Sequence, residues 1–230
     1  MLNLAVFASG GGTNLQSLLD KLNRAGSAWG RVNLVLSDRP QAGSLERARA
    51  ANVPCAVVAV AGRPEAAVAD EISALLDAHA IDVVALAGYL RLVPAHVITR
   101  FRGRIVNIHP ALLPAFGGKG MYGMRVHRSV LEAGCRVTGV TVHHVDERYD
   151  EGRPLAQWPV PVLAGDTPET LAARVLAIEH RLYPLALELL AARIAGSTPH
   201  VVVPATDGPS FLWTDAIPDD AAIRRELGLD

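Results

Sequence analysis

Several things are scarce in this chain, and each scarcity closes off a class of protein. Aromatic residues are only 5% of its 230 residues, so Ala, Val and Leu must fill the core, which suits close-packed helices laid on a Val-rich sheet. The two cysteines, Cys55 and Cys135, lack metal-type spacing; a pair of incidental reduced thiols fits a cytoplasmic protein. An excess of charge is missing too. Lys and Arg number 22 against 23 Asp and Glu, a formal net charge of −1, which gives no electrostatic basis for binding nucleic acid or an anionic membrane. No uncharged apolar run approaches the ~20 residues needed to span a bilayer. The N-terminal Met1-Leu2-Asn3-Leu4 has no basic stretch, and its apolar run stops at Ser9, so it reads as a strand and not as a signal peptide.

What is present fits one large α/β domain: half the residues are apolar and 20% charged. Strand and helix signals alternate regularly. Leu2 to Ala8, Arg31 to Ser37, Pro54 to Val60, Ile81 to Ala87 and Arg104 to Ile108 read as strands. Between them lie a helix with Leu15, Leu18, Leu19 and Leu22 on one face, one over Ser44 to Ala51, one opened by Pro64 with Val68, Ile72, Leu75 and Leu76, and a short turn of helix from Pro94 to Thr99. That order predicts a mostly parallel, doubly wound, Rossmann-like sheet with helices on both faces and ligands at the strands' carboxyl ends.

The second half predicts an antiparallel or mixed extension. Val126 to Ala133 is helical, Cys135 to Val145 is a long β-branched run, and Pro154 to Leu163 is a Pro-bearing strand suited to an edge. Asp166-Thr167-Pro168-Glu169 starts a long helix with Leu171, Val175, Ile178, Leu182, Leu185 and Leu189 in one stripe, kinked at Pro184. Beyond Gly196, Val201-Val202-Val203 and Phe211-Leu212-Trp213 read as a hairpin tail. The expected organisation is a domain over 1–195, with a phosphate and nucleotide half to about 100 and a second half from 101, and the 196–230 tail packed on it.

Three stretches can carry chemistry. Asn107-Ile108-His109-Pro110 ends a strand, and side chains at i and i+2 point the same way, so an amide and an imidazole can share one small volume. A hydrogen-bonded structural pair is the alternative. Gly10-Gly11-Gly12-Thr13-Asn14 lies between a strand and a helix, where backbone N–H groups favour a phosphate; the alternative is a plain turn. It matches a dinucleotide fingerprint poorly, because Leu15 stands where the third small residue belongs. Asp38, after the second strand, leaves a ribose contact open. Asp150-Glu151-Gly152 can supply a carboxylate that raises the pKa of His109 and orients its ring, although Asp before Gly is also ordinary turn chemistry. His143 and His144 are adjacent on a strand, so at most one faces a site. His109, His127 and His143 have no short-spaced pair among them, and no metal is expected.

Taken together, Ser9-Gly10-Gly11-Gly12-Thr13-Asn14-Leu15, Leu86-Ala87-Gly88-Tyr89-Leu90-Arg91, Asn107 to Pro114, Gly139-Val140-Thr141-Val142-His143, Asp150-Glu151-Gly152 and Glu179 to Pro184 resemble the glycinamide ribonucleotide formyltransferases, folate-dependent enzymes of purine synthesis. The resemblance covers about residues 1–192. It implies a formyl transfer from 10-formyltetrahydrofolate to the amine of glycinamide ribonucleotide, with Asn107, His109 and Asp150 as the catalytic triad. It implies that Gly11, Gly12, Thr13 and Asn14 hold the phosphate and Glu179 the ribose. Leu90, Arg91, Val93, Asn107 and Val145 would line the folate pocket, and Arg63 would meet the folate's glutamate tail. Asn107 and a protonated His109 would donate to the developing oxyanion, while Asp150 keeps His109 charged and positions a proton-shuttling water.

The chain departs from the family pattern between Pro114 and His127, where a longer segment with four glycines and Lys119 replaces a Pro-Gly-Leu-His stretch. It reads either as a mobile loop near the site or as a longer surface loop. Leu176 stands where some relatives place a glutamine. The expected partners are the two small-molecule substrates, with no nucleic acid and no membrane, in a monomer or homodimer. Rival readings are methionyl-tRNA formyltransferase, which would need a basic C-terminal domain where this chain ends in an acidic tail, and formyltetrahydrofolate hydrolase, which usually bears a preceding regulatory domain. A nucleotide-binding module without catalysis leaves Asn107, His109 and Asp150 unexplained.

Overall fold

The computed structural model describes residues 1–24 and 27–196 and the backbone of Trp213–Thr214. Five strands run parallel: β1 (Leu2–Phe7), β2 (Gly30–Ser37), β3 (Cys55–Val57), β4 (Val83–Leu86) and β5 (Ile105–His109). The sheet continues with β6 (Val137–His144), β7 (Pro154–Pro161) and the two-residue β8 (Trp213–Thr214), each antiparallel to its predecessor, in the order β3-β2-β1-β4-β5-β6-β7-β8. The doubly wound expectation and its antiparallel extension hold. The expected tail hairpin lies outside the described residues, apart from the β8 backbone paired with Ala156 and Gln157.

Period-2 alternation divides the core between the two faces. On β1, Leu4 and Val6 enter one cluster while Ala5 and Phe7 enter the other; on β4, Val83 and Ala85 oppose Val84 and Leu86. The first cluster is covered by α1 (Thr13–Leu18), α2 (Gly43–Ala50), α5 (Met124–Glu132) and α6 (Pro168–Ile194), the second by α3 (Glu65–Ala78) and α4 (Ala95–Arg100). The helix expected from Leu15 to Leu22 is regular only to Leu18, then widens into a π-helical segment over Leu19–Arg24. There Asn23 is bonded both ways to the Val32 backbone. The third strand is shorter than the apolar run implied, with three residues.

α6 starts on a capping box, in which Thr167 and Thr170 each accept from the other's backbone N–H. It runs on through Pro184, which is buried. Its partner Tyr183 is fully buried, and the hydroxyl donates to Leu86 O at 2.8 Å and lies 3.3 Å from Val106 O, fastening α6 across β4 and β5 where the site begins. Among the described residues, no helix is long and apolar enough to cross a membrane.

Candidate active site

The register between β5 and β6 builds the centre of the site. Val106 and Ile108 point into one core cluster, so Asn107 and His109 continue the row of Ile105 on the opposite face. On β6, Val140 and Val142 point into that first cluster, which turns Thr141 and His143 to the same face as Asn107 and His109. Pairing sets Asn107 opposite His143 and His109 opposite Thr141. His143 Nδ1–H donates to His144 O at 2.9 Å, and Nε2 lies 3.1 Å from the Asn107 amide nitrogen and 3.6 Å from Asp150 Oδ1. The second contact of that amide, to Asp150 Oδ1, is 3.4 Å long and is the weaker one, open to replacement by an incoming oxygen.

His109 is 3% exposed. Its Nε2–H donates to Phe116 O at 2.8 Å, which fixes the proton of the neutral ring on Nε2 and leaves Nδ1, 3.5 Å from Asp150 Oδ2, as the atom free for chemistry. Against the expectation that Asp150 keeps His109 charged stands the burial of the ring. Burial outweighs the nearby carboxylate and the Phe116 carbonyl, and holds the imidazole pKa below its ordinary value. For Asp150, burial alone would raise the carboxyl, but His143, His109 and the Gly118 N–H together hold it below the usual range. Asp150 takes a left-handed φ of 58° and accepts from Gly118 N at 2.9 Å. A side chain at Gly117 would meet Leu113 Cδ2 at 2.5 Å and Asp150 Cβ at 3.1 Å, so a larger residue there would have to displace the Leu113 side chain and press on Asp150.

This group lies on the wall of a cavity of about 710 Å³. On one side Leu86, Leu90, Val93, Ile108 and Val145 make an apolar wall, joined by backbone from Gly88 to Val93. On the other side Thr13, Asn14 and Glu179 present polar groups, with Leu176 beside them. Gly12 caps α1 with a left-handed φ of 73°; of the expected phosphate loop, Thr13 and Asn14 line the cavity, whereas Gly11 and Gly12 do not. Glu179 is buried and accepts a short hydrogen bond from Asn14 Nδ2; burial raises its pKa, against the effect of that bond. The 115–126 segment borders the cavity from Gly118 to Arg125.

Two sequence assignments do not fit this geometry. Arg63 is not in the cavity wall, because its guanidinium is held by Glu71 at 2.6 Å and by Ala59 O. Asp38 does not face a ribose: its buried carboxylate accepts from Arg91 Nε at 3.0 Å and so braces the 88–93 segment. Sequence reasoning also left His143 and His127 out of the site, though both line it. The alternation of Val140 and Val142 with Thr141 and His143 was the signal for the first. His127 had none, since its place depends on how α5 packs. Among the described residues no group of three or more His, Cys, Asp or Glu is arranged to hold a metal ion.

Comparison with known proteins gives the chain its relatives. Residues 2–187 match the family model described as formyl transferase. The chain is 48% identical over 182 residues to the chloroplastic phosphoribosylglycinamide formyltransferase of Arabidopsis thaliana, covering 78% of this chain and 62% of that protein. It is 37% identical over 192 residues to the phosphoribosylglycinamide formyltransferase of Bacillus subtilis, covering 83% and 95%. The chain thus spans about three fifths of the length of the plant relatives it matches, 62% and 60%. Among solved structures, glycinamide ribonucleotide transformylase 1 from Symbiobacterium toebii superposes with a TM-score of 0.77 at 46% identity, over 84% of this chain and 89% of that one.

Proposed function

On the premise that the chain belongs to the formyl transferase family, we propose that it transfers the formyl group of 10-formyltetrahydrofolate to the amine of 5′-phosphoribosylglycinamide, giving the formylated ribonucleotide and tetrahydrofolate. The observation that carries this reading is that Asn107, His109 and Asp150 meet on the wall of the same cavity that Asn14 and Glu179 line. In this reading the glycine loop and Asn14 hold the phosphate, Glu179 the ribose hydroxyls, and Leu90 to Val93 with Val145 the folate ring. Likeness to phosphoribosylglycinamide formyltransferases and a glycinamide ribonucleotide transformylase supports these substrates. All these residues come from one chain, so a monomer or homodimer suffices. The expected phosphate and nucleotide half to about residue 100 and folate half from 101 both contribute to this one cavity, where Glu179 reaches Asn14 and Leu90 and Val145 are both in the lining. Two free cysteines accord with a cytoplasmic setting.

We infer a proton path that this geometry supports. As the neutral amine attacks the formyl carbon, a C–N bond forms and charge develops on the formyl oxygen. The Asn107 amide exchanges its long contact to Asp150 for that oxygen, a stabilisation worth about 3–4 kcal/mol per well-placed donor. Neutral His109 accepts the amine proton at Nδ1, directly or through a water held by Asp150. The resulting imidazolium is stabilised by the Asp150 carboxylate, and returns the proton to the departing folate nitrogen as the old C–N bond breaks. Formyl transfer followed by absorbance, with both substrates, tests this: His109→Ala should lower turnover about a hundredfold or more. Near-normal turnover in that variant refutes the assignment. Folate consumption without the ribonucleotide makes the protein a hydrolase instead.

A further inference from the structure

We propose that Arg47, on α2 and outside the cavity wall, is the positioning residue that gives the glycine loop its affinity for a phosphate dianion; this rests on the reading of that loop as the phosphate holder. Three successive carbonyls of the loop are tied down away from the cavity. Gly10 O accepts from Ser44 N at 3.1 Å, Gly11 O from Arg47 Nε at 2.7 Å, and Gly12 O from Gln16 N at 2.9 Å. In a trans peptide the carbonyl and the following N–H point opposite ways. The N–H groups of Gly11, Gly12 and Thr13 are therefore turned away from α2 and from the body of α1, as a row of donors of the kind that binds anions. The packing is backbone on backbone, for a Cβ at Gly12 would meet Ser44 Cα at 2.8 Å.

Arg47 adds charge to that geometry. Arg47 is half-buried as a residue, and the partners of its guanidinium are neutral: Gly11 O on the exposed side and Gln16 Oε1, the latter at 3.0 Å from Nη1. Among the described residues no carboxylate lies within ion-pair distance of it, in contrast to Arg91, Arg100 and Arg174. The nearest acid along this chain of contacts, Asp20, is one step removed through Gln16 and is shared with Arg24. The uncompensated charge is felt on α6: after burial, it is Arg47 that lowers the pKa of His180, the neighbour in sequence of Glu179. A partly buried cation without a counter-ion, directly behind outward-turned N–H groups, is completed by a bound anion.

Steady-state kinetics on Arg47→Gln and Arg47→Lys test this, with the ribonucleotide and with the corresponding ribonucleoside, which lacks only the phosphate. Glutamine keeps an N–H donor for Gly11 O and loses the charge. The expected result for Arg47→Gln is a KM for the ribonucleotide raised about tenfold, with kcat and the folate KM within about twofold and an equally weakened competitive inhibition by inorganic phosphate. Arg47→Lys should recover part of the loss. With the ribonucleoside, wild type and Arg47→Gln should turn over alike. An unchanged ribonucleotide KM, or an equal effect on nucleotide and nucleoside, overturns the inference. If the wild type transfers no formyl group at all, the functional reading falls. Calorimetric binding of inorganic phosphate, lost in Arg47→Gln if the inference holds and retained if it does not, then decides the role of Arg47 separately.

Discussion

Replacing Asp150 by Asn isolates what its charge contributes, because little else should change. Asn tolerates the left-handed φ of 58° at this position and its side-chain oxygen can still accept from Gly118 N–H. What disappears is a negative charge whose oxygen lies 3.5 Å from His109 Nδ1. At an effective dielectric constant of ~20, a carboxylate and an imidazolium at that separation attract by roughly 5 kcal/mol. The cavity is open to solvent, so a working value is about half of that, equivalent to about two pKa units. The charge favours the imidazolium, and its loss makes Nδ1 a weaker proton acceptor. Two consequences follow for the pH dependence of kcat. The plateau should fall by up to about a hundredfold, since the imidazolium formed in the transition state loses its counter-ion. The acid limb, which reports deprotonation of His109 and already lies below the ordinary imidazole pKa because of burial, should move to still lower pH. Stopped-time assays from about pH 5 to 9 at saturating substrates read both effects. A variant that stays within about threefold of wild type, with an unmoved acid limb, refutes the role given to the carboxylate.

Glu179→Gln should raise the ribonucleotide KM by about tenfold while kcat stays within about threefold, as expected for a residue that binds ribose and touches no reacting atom. The same substitution has a stability signature. Burial raises the folded pKa of Glu179, so the folded chain binds its proton more tightly than the unfolded chain; that contribution is present below the ordinary glutamate pKa and is lost as the pH rises through the raised one. Thermal melts should therefore show wild type gaining on the Gln variant as the pH is lowered; parallel curves would contradict this. Tyr183→Phe removes a fully buried hydroxyl that donates to Leu86 O and lies close to Val106 O, and should cost about 1–2 kcal/mol in urea unfolding at constant m-value. A midpoint unchanged from wild type would mean that this fastening adds nothing.

The sheet was readable from the chain because buried parallel strands need continuous apolar runs and their crossovers need amphipathic helices, and both signals are long. The pair Asn107 and His109 was readable for a related reason, since two residues on one strand share a face whatever surrounds them. His143 depends instead on the register between β5 and β6, which no local pattern specifies. The charge state of His109 turns on a balance of which sequence shows one side, since the neighbouring carboxylate is visible there while the degree of burial is not. Arg63 shows the same limit: its nearest acid, Glu71, is one that helix α3 brings to it. Glu179 lies on the flank of a helix, where no local pattern marks it as buried, and it is the packing of α6 against α1 that sets it against Asn14.

The two groups that orient His109 and Asp150 are peptide atoms, Phe116 O and Gly118 N. Neither contact depends on which side chain residue 116 carries. The constraint falls on the path of the backbone from 116 to 118, and above all on Gly117. The residues after Gly118 in that segment make neither contact, yet they line the same cavity as far as Arg125. One short stretch of chain thus orients the reacting groups with its backbone and, in the residues that follow, shapes the space in front of them.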